Sequence, residues 1–587
     1  MAEIGEEWGS AESGEASDLP SLADVQHWTG VIGQAQQMLM EHMASTPEGL
    51  GLPAMPPIPA VMFPDPEKLA DQQSDLIKAG LGLFAELVEG HPGREAAHDR
   101  RFKAEQWRAS PIFGIIADTY LVLCEAWLKG IDAIEGLEPR QREQLRFAVR
   151  SLQDAMAPSN FPLTNPLVLE RIFETRGENL LRGLDHLLAD LGKGQLTHVD
   201  RDAFELGRNI AATPGKVIHE TPLYQLIHYT PVTDRVMEVP LLIFPPWINR
   251  FYILDLNPKN SFIRWAVEQG FSVFVVSWKS ADESLAEVTM DDYVVRGQVD
   301  AIDTVRGLLG VDQVHTIGYC VAGTALSMTL AWLAARGEAA KVASATFFTA
   351  QVDFSEAGDL TLFIDDEQLG MIDALTQGSG VLDGRYMALT FNLLRGRDLI
   401  WNYVVQNYLL GEDYPAFDLL YWNGDTTNLP AKWHRAYLRD LYRDNRLVEP
   451  GALTVDGVPI DLRRIATPAY VQAGREDHIA PCRSVWKITE HVAGPVRFVL
   501  AGSGHIAGVV NPPAAGKYQY WTCDTPVDSL DQFEAAARET KGSWWPDWLA
   551  WIRDRTPAEV PAEGARRPGQ GKLPAIEDAP GRYVRTR

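Results

Sequence analysis

The run Val314-His-Thr-Ile-Gly-Tyr-Cys-Val-Ala-Gly323 constrains this chain more than any other. A short apolar strand meets two glycines, Gly318 and Gly323, with a cysteine between them, and then a helix rich in small residues. A strand that turns at once into a helix needs residues without bulk at the crossing, and the residue at the apex is thrust into the open. That residue is Cys320. The helix N-terminus beyond it favours negative charge on the sulfur, and its free N–H groups, Val321 first, can stabilise an oxyanion. A buried cysteine at a strand end would leave the same motif, so the nucleophile reading needs partners.

Two later strand exits supply them. Tyr470–Ile479 is an apolar strand opening into a loop with Asp477, and Phe498–Gly508 is a strand whose glycine-rich exit carries His505. Nucleophile, acid and base then follow one another in the chain order of the α/β-hydrolase fold. His505 would take the thiol proton, and Asp477 would fix its tautomer. His478 is the rival base, but neighbours on extended backbone point oppositely, so it is read as a supporting or surface residue. The loop Phe244–Arg250 follows another strand and could give the second oxyanion donor. Pro245 and Pro246 have no N–H, so Ile248 or a neighbour is the candidate, and a rigid turn with no catalytic part would read the same.

The rest of the second half supports an α/β sheet. Strands are expected at Tyr224–Tyr229, Pro240–Phe244, Phe271–Trp278, Val314–Ile317, Val342–Phe348, Ala469–Gln472 and Val496–Leu500, with helices between several of them, at Tyr293–Leu309 and Val321–Ala335. Such alternation predicts a mostly parallel sheet covered on both faces. Between about 350 and 460 it lapses, as an inserted cap would make it. Amphipathic segments at Leu76–Leu87, Ile112–Ile131, Arg140–Met156 and Leu167–Leu191 predict a mainly helical N-terminal domain. The division expected is an acidic, partly flexible arm over 1–65, helices over 66–205, a catalytic domain over 206–555 and a tail over 556–587.

Charge excludes some partners. The chain carries a formal charge of −26 and has no Lys or Arg before Lys68. Nucleic acid needs a basic face, and no Lys/Arg run of the required density appears, which argues against that partner. Four cysteines in 587 residues, none in a CxxC pair, form neither a disulfide scaffold nor an evident zinc site, so no metal is expected. No secretory signal is read at the N-terminus, and the apolar stretch Pro111–Gly130 is interrupted by Asp118 and Glu125, so no transmembrane segment is expected.

Taken together, these strings resemble the long, single-subunit class I polyhydroxyalkanoate synthases. The similarity lies in Gly318–Gly323, Pro245–Asp255, Phe391–Arg395 with Asp398–Tyr403, and Tyr421–Pro430. It extends to Asp99–Phe102 with Trp107, to Asn160–Pro166 and to Pro580–Val584, but not to the acidic arm. Two departures stand out. Ala322 occupies a position where the family more often has glycine, and Lys279-Ser280-Ala281 replaces an Asn-Pro after Trp278.

The resemblance implies polymerisation of 3-hydroxyacyl-CoA, short-chain units such as 3-hydroxybutyryl-CoA, into polyester with release of CoA. CoA would be part of the substrate, with no separate cofactor. The family also implies a homodimer in the cytoplasm, on polyester granules beside granule-associated proteins. Arg395 or Arg397 could meet the CoA phosphates, although a solvated helix face is the better reading of each. A thioesterase or depolymerase would use the same three residues with water as acceptor, and a non-catalytic granule-surface protein would need none of them.

Overall fold

Strand patterning in the second half produces one large sheet, in a computed structural model that describes residues 22–45 and 96–586. Two antiparallel strands open it, β1 (Gly215–Glu220) and β2 (Tyr224–Tyr229). Six mutually parallel strands follow: β3 (Leu241–Phe244), β4 (Val273–Trp278), β5 (Val314–Tyr319), β6 (Val342–Phe348), β7 (Ala469–Gly474) and β8 (Val496–Ala501). The last are β9 (Gln519–Thr522), β10 (Arg538–Lys541) and β11 (Glu577–Asp578), all antiparallel to their neighbours. The spatial order is β10-β9-β8-β7-β6-β5-β3-β4-β2-β1-β11.

β2 to β5 and β7 are buried at every position, as strands covered on both faces must be. Every strand expected from the sequence is present within a few residues. The sheet is nevertheless mixed rather than mostly parallel. Four antiparallel strands, β1, β9, β10 and β11, were not foreseen, because they lie toward the edges and none carries an apolar run longer than two residues. The segment read as a tail adds β11 and also pairs Glu559–Pro561 with Arg235–Met237.

The chain divides into two compact units. One comprises residues 138–144, 197–400 and 414–587 and contains the whole sheet. Between β6 and β7 it carries the helices Asp366–Thr376, Gly384–Leu394, Asp418–Asn423 and Ala431–Tyr437, in the stretch read as a cap. The helix Val321–Ala335 runs back beneath the sheet and is buried from Val321 to Leu333, which explains its small residues.

The other unit comprises residues 1–137, 145–196 and 401–413, and its described part is helical. Pro166 at the first helical position and Asn165, whose side chain accepts from the N–H groups of Leu167 and Val168, start one helix. The single helix expected over Leu167–Leu191 is in fact two, Pro166–Thr175 and Glu178–Lys193. They are separated by Arg176 and Gly177, both in the left-handed region. Gly183 packs on the Tyr408 carbonyl so closely that a Cβ there would lie 1.8 Å from the oxygen.

Helix Pro111–Asp132 is the one helix among the described residues long and apolar enough to cross a membrane. Single helices of this kind also occur in packed domains, and here Asp118 is buried and accepts from the Ala96 N–H. Within the stretch read as an acidic arm, the proline-free Leu22–Ser45 forms a helix. The remainder of the arm and the helical segment expected at Leu76–Leu87 lie outside the described residues.

Candidate active site

β5 delivers Cys320 to the sheet's C-terminal edge in a conformation few residues adopt, with φ 52° and ψ −127°. That backbone costs on the order of 1–3 kcal/mol. It is held by the Cys320 N–H donating to the Phe348 carbonyl at 2.9 Å, while the Cys320 carbonyl accepts from Gly323 and Thr324. From Val314 to Leu333 every residue is buried except Cys320. The glycines explain how the turn fits. A Cβ on Gly318 would lie 2.6 Å from the Gly323 Cα, and one on Gly323 would lie 2.4 Å from the Ala350 Cβ. Ala322 has an ordinary helical φ and a filled, buried environment, so the departure from glycine there is accommodated.

His505 and Asp477 sit on the exits of β8 and β7, neighbouring strands in the sheet. His505 donates from Nδ1 to Asp477 Oδ2 at 2.7 Å. The other Asp477 oxygen accepts from the N–H groups of Ile479 and Ala480 at 2.8 and 2.9 Å. With Nδ1 committed to the carboxylate, Nε2 is left for the thiol. Burial opposes charge on the imidazole, but the Asp477 carboxylate and Cys320, each acting by charge and hydrogen bonding, prevail and push its pKa up to about 10. The three groups thus form a connected chain, with Cys320 beside the His505 imidazole and the imidazole bonded to the Asp477 carboxylate.

The oxyanion candidates differ in setting. Val321 is the first residue of the nucleophile's helix, where an N–H has no partner within the helix. Ile248 lies in the loop after β3, beside the buried Trp247. That loop is firmly tied, with the Pro245 carbonyl accepting from Trp278 Nε1 at 2.8 Å and the Trp247 ring stacked on Tyr293 at 3.9 Å. Neither N–H donates to another group among the described residues.

The remaining predicted residues lie farther out. His478 is half-buried, and burial lowers its pKa, with the Arg395 charge and His505 adding to the effect. Arg395 pairs with Asp398 and is half-exposed, and Arg397 is exposed. Arg395 therefore bears on His478, whereas Arg397 has no shown link to Cys320. Among the described residues, no group of three or more His, Cys, Asp or Glu side chains could hold a metal ion.

Three tyrosines were missed. Tyr319, buried beside Cys320, donates its hydroxyl to the His505 carbonyl at 3.0 Å and so ties the base's loop to the nucleophile's strand. Its place between Gly318 and Cys320 was the available signal. Tyr437 and Tyr442 come from the stretch between β6 and β7. Burial raises both phenol pKa values, and the charge of Cys320 adds to the rise in each, so both phenols lie within electrostatic reach of the thiol. Nothing in the local sequence around them marks that role.

Known proteins give the same outline. Residues 98–266 match the family described as the poly-beta-hydroxybutyrate polymerase (PhaC) N-terminus, and residues 239–512 match the alpha/beta hydrolase fold. The chain is 43% identical over 543 residues to the poly(3-hydroxyalkanoate) polymerase subunit PhaC of Cupriavidus necator, covering 92% of this chain and 91% of that protein. It is 42% identical over 534 residues to the same subunit of Rhizobium meliloti, covering 89% and 86%. Poly(3-hydroxyalkanoate) polymerase 2 of Ectopseudomonas oleovorans is 37% identical over 518 residues, covering 87% and 91%.

Proposed function

Because the chain belongs to the poly(3-hydroxyalkanoate) polymerase family and is an acyltransferase of that kind, we propose that it builds polyhydroxyalkanoate from 3-hydroxyacyl-CoA through a thioester on Cys320. Short-chain units such as 3-hydroxybutyryl-CoA are the proposed monomers. The observation that carries the reading is the partly exposed Cys320 on its strained turn, connected through His505 to a doubly anchored Asp477.

In the first half-reaction the Cys320 sulfur gives its proton to His505 and attacks the thioester carbonyl. The N–H groups of Val321 and Ile248 hold the oxyanion. The carbon–sulfur bond to CoA breaks, and His505 returns its proton to the departing thiol. One thioester has replaced another, so the step is nearly isoenergetic and the acyl group stays activated. In the second half-reaction His505 takes the proton of a 3-hydroxyl on another unit, whose oxygen attacks the acyl carbon. An ester forms and the Cys320 sulfur is released with the proton. Water would divert this step to hydrolysis. Tyr437, buried, and Tyr442, half-buried, both feel the charge of Cys320 and support the cap stretch as the barrier that excludes it.

The proposal extends to a cap over about 350–460, to a homodimer acting in the cytoplasm on polyester granules with granule-associated proteins, and to catalysis with no cofactor beyond the CoA of the substrate. The family resemblance supports these points. Arg395, Arg397 and His478 are proposed to meet substrate at the rim. Incubation with 3-hydroxybutyryl-CoA, following free CoA with a thiol reagent and polymer by size, tests the activity. CoA with high-mass polyester is expected. CoA with free acid alone would mean a hydrolase, and no CoA would mean neither. Cys320→Ala is expected to abolish covalent acylation and Cys482→Ala to leave it intact, as read by mass spectrometry of the intact protein; the reverse pattern would refute the assignment.

A further inference from the structure

The loop that carries Ile248 is gripped by a single side chain. The buried Thr427 hydroxyl donates to the Trp247 carbonyl at 2.7 Å and accepts from the Asn249 N–H at 2.8 Å. One oxygen therefore fixes the peptide groups on both sides of Ile248. A trans peptide points its C=O and N–H in opposite directions. Drawing the Trp247 carbonyl toward Thr427 turns the Ile248 N–H, which belongs to the same peptide plane, to the opposite side. The Asn249 backbone, with φ 85°, is in a left-handed conformation that asparagine tolerates better than most residues, and its side chain accepts from the Arg250 N–H.

Thr427 is itself immobilised from both sides. Before it, Asp425 accepts from the Tyr252 hydroxyl at 2.7 Å, and after it the Asn428 N–H donates to Ser280 at 3.0 Å. The grip is thus a fixed part of the stretch between β6 and β7 read as a cap.

We propose that Thr427 is the positioning residue that aims the Ile248 N–H, so that one half of the oxyanion site is set by the segment between β6 and β7 rather than by the β3 loop alone. This rests on the acyl-transfer reading in which that N–H meets the oxyanion.

The test is Thr427→Val, which keeps the shape and removes the hydroxyl, in the full chain with 3-hydroxybutyryl-CoA. The expected result is a kcat for CoA release lower by about 10²-fold, as on loss of one oxyanion donor, with KM within about twofold. Alkylation of Cys320 by iodoacetamide displaces iodide at a saturated carbon and forms no oxyanion, so its rate is expected to stay at the wild-type value. Thr427→Ser, which retains the hydroxyl, is expected to recover kcat to within about fivefold. Should Thr427→Val fail to fold, Thr427→Ala also removes the hydroxyl, adds no thiol and carries the same expectations.

A kcat loss under about threefold in the valine variant overturns the proposal, because the hydroxyl then aims nothing. An equal fall in the alkylation rate overturns it as well, since the whole site is then disturbed. A wild-type protein that is alkylated normally but releases no CoA overturns instead the acyl-transfer reading.

Discussion

The charge state of His505, the proposed base, is set by its neighbours rather than by its burial. Its pKa is raised to about 10 against the opposing effect of burial, with Asp477 the largest favourable influence. Removing that carboxylate without changing its shape should expose the dependence. Asp477→Asn is expected to lower kcat for CoA release by about 10²–10⁴-fold, since the amide can stabilise neither the imidazolium nor the required tautomer. The sign of the effect on stability follows from the same shift. A folded-state pKa above the unfolded value contributes stability that is complete below about pH 6.5 and vanishes as pH rises through about 10. The gap in urea midpoint between wild type and Asp477→Asn should therefore be widest near neutrality and close above pH 10; a gap that widens on the alkaline side would contradict it.

The nucleophile's turn and the strands beside it carry most of what the sequence announced. Cys320, Asp477 and His505 were legible because each stands where an apolar run ends in glycine or loop residues, and those positions follow from backbone geometry alone. Thr427, Tyr437 and Tyr442 were not, because their roles arise from contacts between segments far apart in the chain, within a stretch whose periodicity is weak. Edge strands such as β9 and β10 were missed for a related reason. With one neighbour or an exposed face, they need no continuous apolar run. The turn also yields a test. A methyl on Gly323 would meet the Ala350 Cβ at 2.4 Å and the Gly318 carbonyl at 2.8 Å. Gly323→Ala is expected to destabilise by about 1–3 kcal/mol through overpacking. Ala322→Gly, which only loosens a helix, should cost about 1 kcal/mol and keep CoA release. Thermal melts of both variants check the order, and equal losses would mean that the crossing tolerates bulk.

Across the molecule, acid sensitivity should come from histidines held neutral in the core. Burial lowers the pKa of His228 and His315 to about 3 and of His434 to about 4, with Arg566 adding to the first and Arg555 to the second. The unfolded chain binds these protons near pH 6.5 and the folded chain does not. Stability is thus full above about pH 6.5 and lost as pH falls toward 4, by several kcal/mol in sum. Urea midpoints at pH 7, 6 and 5 should decline before the carboxylates titrate, and a flat profile over that range would exclude the account. The C-terminal segment has a consequence of another kind. Arg250, two residues beyond Ile248, is buried and donates to the carbonyls of Tyr583 and Thr586, while β11 pairs with β1. The ribosome makes this arginine more than 300 residues before those carbonyls. A nascent chain that stalls after His505 but before Tyr583 holds Cys320, Asp477 and His505 yet leaves the guanidinium without these acceptors, so polymerisation competence should arrive only as synthesis reaches this segment.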